Sequence, residues 1–154
     1  NVSIPGSNES MATELSNGQL MMNIRNQRGD IRSRIVAISS SGGEHWDTAY
    51  FDHNLPDPVC QGSILTLGKD GKKNILAFCT AADTVRRDNL TLQISFDDGR
   101  NWHKQYVIDK SDGKTTEDQA AYSDLVILDE KTIGVLYERN NYQQIAFVRQ
   151  HWKK

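Results

Sequence analysis

An all-β fold is what this sequence predicts, on three observations. Ile, Val and Thr gather in short runs, and branched side chains suit a pleated surface. Turn clusters built on Gly, Asn and Asp separate the runs, with 11 Gly against only 3 Pro. Apolar residues at helical spacing are hard to find. The runs fall into three groups. Residues 11–15, 19–25, 34–39 and 48–51 form the first, joined by Ser16-Asn17-Gly18 and Ser41-Gly42-Gly43. An Asn-Gly pair between apolar runs signals a hairpin because both residues tolerate positive φ. Residues 62–67, 74–80, 90–95 and 103–108 form the second group, with Asp70-Gly71 in the slot that Asn17-Gly18 fills in the first. Residues 122–128, 132–137 and 144–149 form the third, turned by Asp129-Glu130-Lys131.

The groups repeat a local device. Ser95-Phe96-Asp97-Asp98-Gly99-Arg100-Asn101-Trp102 fits the pattern Ser-x-Asp-x-Gly-x-x-Trp at every fixed position. Ser39-Ser40-Ser41-Gly42-Gly43-Glu44-His45-Trp46 keeps its Ser, Gly and Trp, with Ser41 in place of the Asp. The carboxylate of such a box accepts bonds from nearby backbone N–H groups, the Gly permits the reversal, and the Trp plugs a gap between neighbouring sheets. Asp97 and Trp102 are thus read as structural. Four-stranded units of about 50 residues in succession read as β-propeller blades. The strand count gives two whole blades and three strands of another.

Composition bounds the function. The chain has 154 residues, enough for one core, and no apolar run nears the ~18 residues of a membrane span. Eighteen Lys+Arg against 20 Asp+Glu leave a net charge of -2, so no global basic field is available to attract nucleic acid. Cys60 and Cys79 are read as small buried apolar residues, a bridge between them being the other reading. His45, His53, His103 and His151 have no metal-ligand spacing, and no phosphate loop is present. Neither a metal nor an organic cofactor is expected. The sequons Asn8-Glu9-Ser10 and Asn89-Leu90-Thr91 adjoin the site residues named below and are read as coincidental.

With its boxes and blades, the chain resembles the sialidase (neuraminidase) family of glycoside hydrolases, whose catalytic domain is a six-bladed β-propeller. The segment from Asn8 to Arg25 is similar to the one in which a catalytic Glu precedes an Arg at the end of a Leu-Asn-x-Arg strand. Ala121-Tyr122-Ser123-Asp124-Leu125 is similar to the segment of the nucleophilic Tyr, and Ile133-Gly134-Val135-Leu136-Tyr137-Glu138 to a strand ending in a supporting Glu. Arg87-Asp88-Asn89-Leu90-Thr91 resembles the site of another substrate arginine. The resemblance therefore implies Tyr122 as nucleophile, Glu9 as its base, Arg25 and Arg87 as substrate-binding arginines, and Glu138 behind the site, holding the first arginine of the family's triad in place. Only one of Arg86 and Arg87 is expected to point into the site, since adjacent strand residues face opposite sides.

These residue types suit the chemistry. A sialoside carries a carboxylate on its anomeric carbon, and a guanidinium matches a carboxylate with two parallel bonds. A carboxylate nucleophile would be repelled there, whereas a neutral phenol is not, and sialidases are the known glycosidases with a Tyr nucleophile. A phenol with a pKa near 10 needs a base within hydrogen-bond reach.

The resemblance covers the family's later half. The Arg-Ile-Pro segment with the first arginine of the triad has no counterpart, as Ser3-Ile4-Pro5 lacks the Arg and directly precedes Glu9. Asp47 and Asp52 do not stand where the general-acid Asp would. Residues 1–154 are therefore expected to be the C-terminal half of a propeller catalytic domain, with the N-terminal half as partner and little hydrolase activity alone. The activity implied is exo-α-sialidase cleavage of sialylated glycoconjugates with retention, in a periplasmic or secreted setting. Two other readings stand beside it. One is a trans-sialidase, and the other is a noncatalytic propeller that binds glycans or proteins.

Overall fold

A computed structural model of the chain describes Val2 and residues 4–153. Asn1, Ser3 and Lys154, and with them the Ser of Ser3-Ile4-Pro5, lie outside the described residues. Eleven strands form among those described: β1 (Ser7–Glu14), β2 (Leu20–Asn26), β3 (Ser33–Ser39), β4 (Thr48–Pro56), β5 (Gly62–Asp70), β6 (Lys73–Ala81), β7 (Leu90–Ser95), β8 (Lys104–Asp109), β9 (Ala120–Asp129), β10 (Thr132–Arg139) and β11 (Gln144–His151). They build three antiparallel meanders, β1-β2-β3-β4, β5-β6-β7-β8 and β9-β10-β11. Every run read from the sequence overlaps one of these strands. Two strands extend furthest beyond their runs, β1 at its start and β4 at its end. β1 starts at Ser7 because an exposed polar stretch pairs with β2 across a register shift between Ser7 and Ser10. β4 runs on to Pro56, which needs no ladder N–H at a strand end.

The middle sheet is covered on both faces. β6 is buried from Asn74 to Ala81 and β7 throughout, which explains their near-continuous apolar character. Leu15, Met21, Val36 and Leu55 of the first sheet and its turns meet Ile64, Leu76 and Phe78 of the second. On the other face Ala77, Cys79, Leu90, Leu92 and Ile94 meet Leu125, Ile133, Val135, Tyr137 and Trp152. A fully buried Leu, Ile or Phe contributes roughly 1.5–3 kcal/mol, more than an exposed ion pair, so apolar contact rather than surface charge stacks the sheets. Both cysteines are free and lie in this interior, where burial pushes each thiol up to about 12.

The intact box closes its own turn. Asp97 Oδ1 accepts from Ser95 Oγ at 2.8 Å and Asn101 N at 2.9 Å, while Gly99 N donates to Ser95 Oγ at 2.8 Å. Trp102 then packs between the first and second sheets, its ring centroid 5.7 Å from that of Phe78. In the degenerate box the Ser41 hydroxyl accepts from His45 N at 3.0 Å, and Gly43 N donates to Ser39 Oγ at 3.0 Å. One hydroxyl thus does part of the work of the carboxylate.

Asp98, at an unspecified position of the pattern, ties two sheets together. Its Oδ1 accepts from Ser16 N and Asn74 N, both at 3.0 Å, and its Oδ2 from Ser16 Oγ at 2.7 Å, with Lys73 Nζ at 2.8 Å. The third sheet keeps one apolar face open, where Val126, Leu136, Ile145 and Phe147 are exposed. Phe147 and Val126 lie over Gly134, and a Cβ there would come within 2.7 Å of the Phe147 ring.

Candidate active site

Four side chains from three sheets meet at one end of the stack. Glu9 lies on the irregular first half of β1 and Arg25 near the end of β2, sixteen residues later and across the same hairpin. Arg25 Nη1 donates to Glu9 Oε2 at 2.6 Å and to the Tyr122 hydroxyl oxygen at 2.8 Å. The Tyr122 hydroxyl in turn donates to the other carboxylate oxygen, Glu9 Oε1. Arg25 is 11% exposed and Glu9 35%, so the carboxylate stands at the mouth and the guanidinium beneath it.

The electrostatics sharpen the difference between acceptor and donor. Burial raises the Glu9 carboxyl, but hydrogen bonds from Tyr122 and Arg25 and the charges of Arg25 and Arg87 outweigh it, leaving Glu9 below its ordinary value. Burial raises the Tyr122 phenol, and the Glu9 hydrogen bond raises it further against the pull of Arg25 and Arg87. At rest the pair is therefore an ionised carboxylate and a neutral phenol.

Arg87 comes from the β6–β7 connection. Its Nη1 donates to the Tyr142 hydroxyl at 3.0 Å and its Nη2 to the Val59 carbonyl at 3.1 Å. The guanidinium carbon is 5.4 Å from the Tyr122 ring centroid and 5.9 Å from that of Tyr142, within cation–π range of both. Arg86 turns the other way, to Asp88 Oδ2 at 2.9 Å and Ser111 Oγ at 2.8 Å. The choice between the two arginines is thus made by the fold. Glu138 sits behind Tyr122, its Oε2 accepting from Tyr122 N at 3.2 Å. Glu14 is exposed and hydrogen-bonds none of the four, and Asp124 Oδ1 accepts from Leu125 N at 2.9 Å.

Several residues that hold this group were not singled out by sequence reasoning. Tyr142 and Asp118 fix Arg87: Asp118 Oδ1 accepts from Arg87 N at 3.0 Å, and the Tyr142 hydroxyl donates to Asp118 Oδ2. Tyr142 ends a run of three left-handed residues, Asn140, Asn141 and Tyr142, with φ of 53, 48 and 66 degrees. The Asn-Asn pair was the available signal, since Asn tolerates that conformation. Arg34 and Asp57 form a fully buried ion pair at 3.2 Å below the site. Arg34 Nε also donates to Asn23 Oδ1 at 2.7 Å, and Asp57 Oδ2 accepts from Asn26 N, beside Arg25, at 2.8 Å. Nothing in the alternation of β3 marks Arg34 as interior, because that strand is buried on both faces.

Among the described residues no group of three or more His, Cys, Asp or Glu side chains is disposed to hold a metal ion, and no helix is long and apolar enough to cross a membrane.

Comparison with known proteins places this geometry in context. The family model described as a BNR repeat-like domain matches residues 2–135. A sialidase of Bacteroides fragilis is 34% identical over a 134-residue alignment that covers 84% of this chain and 24% of that protein. A sialidase of Micromonospora viridifaciens is 32% identical over a 140-residue alignment that covers 86% of this chain and 20% of that protein. Among solved structures, the Hadza microbial sialidase Hz136 superposes with a TM-score of 0.76 at 28% identity, over 95% of this chain and 28% of that one. The chain spans about a quarter of the length of these relatives.

Proposed function

The chain belongs to the BNR repeat-like domain family, with a propeller-type all-β fold, and from that membership we propose that it carries the tyrosine half of a retaining exo-α-sialidase site. The single observation that carries the reading is the contact of the Tyr122 hydroxyl with the Glu9 carboxylate, flanked by Arg25 and Arg87. Two sialidases matching over most of the chain support the substrate class.

The geometry suggests the following division of labour. Arg25 and Arg87 receive the sialoside carboxylate and fix the anomeric carbon over Tyr122. Glu9 takes the phenolic proton as the oxygen attacks that carbon, so no free phenolate has to form at neutral pH. Arg25 Nη1, already 2.8 Å from the phenolic oxygen, stabilises the charge that develops on it. The glycosidic bond breaks and the leaving alcohol takes a proton from an acid supplied by further residues. Water then attacks the tyrosyl-linked sugar and gives a proton back to the conjugate base of that acid, while the departing phenolic oxygen takes its proton back from Glu9, giving net retention.

In this reading the three sheets are half of a six-bladed ring. The exposed face of Val126, Leu136, Ile145 and Phe147 is then covered by the blades that complete the ring, which also bring the acid and another arginine. Residues 1–154 alone are accordingly expected to hydrolyse sialosides poorly. The test is Tyr122→Phe in the intact protein, assayed with a fluorogenic sialoside. A loss of kcat of at least about 1000-fold is expected, within the range that removing a nucleophile produces. Undiminished hydrolysis would show that another group attacks.

A further inference from the structure

Tyr122 stands at a break in its own ladder. Tyr137 pairs with Ser123 and Arg139 with Ala120, so between those pairs Ala121 and Tyr122 together face Glu138. Such a bulge re-aims a side chain and removes the ladder bonds that would otherwise fix the backbone. β9 is also the edge strand of its sheet, so its far side has no strand to bond. The backbone around Tyr122 is instead held by side chains.

On one side Glu138 accepts from Tyr122 N, as described above. On the other, Gln61 reaches across from the β4–β5 connection and pairs with the whole Ser123 backbone unit. Its Oε1 accepts from Ser123 N at 3.0 Å and its Nε2 donates to Ser123 O at 3.1 Å. The amide thus plays the part of one residue of a missing neighbouring strand. Ser123 is buried, and its hydroxyl has only long contacts, at 3.4 Å to Ser63 Oγ and the Cys79 carbonyl. The two Gln61 bonds are the short ones that fix this residue.

The connection that carries Gln61 is itself anchored to the rest of the site. Cys60 N donates to Asp57 Oδ1 at 2.9 Å, and Arg34 Nη1 donates to the Cys60 carbonyl. Val59, at φ 64 degrees, turns its carbonyl to Arg87. A strained residue of this kind costs about 1–3 kcal/mol and is held only by its surroundings. Residues 57–61 therefore touch the neighbour of Arg25, the guanidinium of Arg87 and the neighbour of Tyr122.

We infer that Gln61 is a positioning residue for the nucleophile: its paired bonds to Ser123 set where the Tyr122 hydroxyl stands relative to Glu9. The inference rests on the sialidase reading and adds to it a residue that touches neither substrate nor reacting atoms. A displacement of about 1 Å at a reacting group lowers turnover by up to roughly 100-fold without touching substrate binding. Gln61→Met removes both bonds at nearly constant volume. In the intact protein it is expected to lower kcat about 10- to 100-fold on an aryl sialoside, with KM within about threefold because Arg25 and Arg87 are untouched.

Gln61→Glu supplies the readout that a merely structural role would not move. As a carboxylate it has no donor for the Ser123 carbonyl; as a carboxylic acid its C=O accepts from Ser123 N and its O–H donates to Ser123 O, restoring both bonds. Its kcat relative to wild type is therefore expected to rise as pH falls from 8 to 5. Wild-type kcat in Gln61→Met, or a Gln61→Glu to wild-type ratio that does not change with pH, overturns the inference. Tyr122→Phe run alongside separates the two claims. If it abolishes turnover while Gln61→Met does not lower it, the inference alone fails; if Tyr122→Phe is fully active, the assignment of Tyr122 as nucleophile fails and takes the inference with it.

Discussion

Replacing Asp98 with Ala removes the carboxylate that joins the first sheet to the second and strands two backbone donors, Ser16 N and Asn74 N. The Asp98 side chain is 6% exposed, so water cannot readily take its place. A buried donor left without a partner costs about 1–3 kcal/mol, and two such donors give roughly 2–6 kcal/mol. Lys73, 41% exposed, adds little to that figure. In a chain of this size each kcal/mol moves Tm by about 2–4 °C, so Asp98→Ala is expected to unfold roughly 4–24 °C early. Asp97→Ala is the control. Its carboxylate serves an exposed turn within one hairpin, and a loss near 1 kcal/mol is expected. Thermal and urea unfolding at pH 7 measure both. A loss in Asp98→Ala no larger than in Asp97→Ala would refute the account. A pH series gives a second check. Burial raises the Asp98 carboxyl, but Lys73, Ser16 and Asn74 more than offset this and hold it far below its ordinary value. Its folded value then lies under the unfolded one near 3.9, so its contribution is full above that pH and is lost as pH falls toward the folded value. The gap between wild type and Asp98→Ala is expected to close in acid.

Asp57→Ala is expected to cost about 3–5 kcal/mol in urea unfolding, because it leaves the Arg34 guanidinium buried without its counter-charge, whereas the double replacement Asp57→Leu with Arg34→Met should recover most of that loss. If Glu9 is the proton acceptor as proposed, the acid limb of kcat/KM for a sialoside in the intact protein should lie below the ordinary Glu range, since its carboxyl is lowered and stays ionised until pH falls through its value. Arg25→Gln removes a hydrogen bond and a charge that lower Glu9, so that limb should move to higher pH; a limb that stays in place would assign it to another group.

The strands and both boxes were legible because each rests on short-range rules. Alternation of side chains, Asn17-Gly18 and Asp70-Gly71 at the turns, and the Ser-to-Trp spacing all act within a hairpin. Glu9, Arg25, Arg87 and Tyr122 were legible by resemblance of their segments, and the structure brings all four together. Which of Arg86 and Arg87 enters the site depends on Asp118, Tyr142 and Val59, all distant in sequence. Gln61 and Asp98 escaped notice for the same reason. Their partners, Ser123 and Ser16, lie on other sheets, and a single side chain crossing between sheets leaves no periodic trace in the sequence. The length of β1 was missed because its first half is polar and exposed, yet it is this half that carries Glu9.

Glu9 and Arg25 ride on the first sheet, Arg87 on a connection of the second and Tyr122 on the third. No single hairpin contains enough of this corner to be transplanted by itself. Chimeras that exchange parts between related proteins must move three consecutive wedges as one cassette, cut where neither the Ser16 nor the Ser123 tether is severed. Turnover in such hybrids would then serve as a gauge of wedge alignment, sensitive to tilts too slight to register in a melting curve.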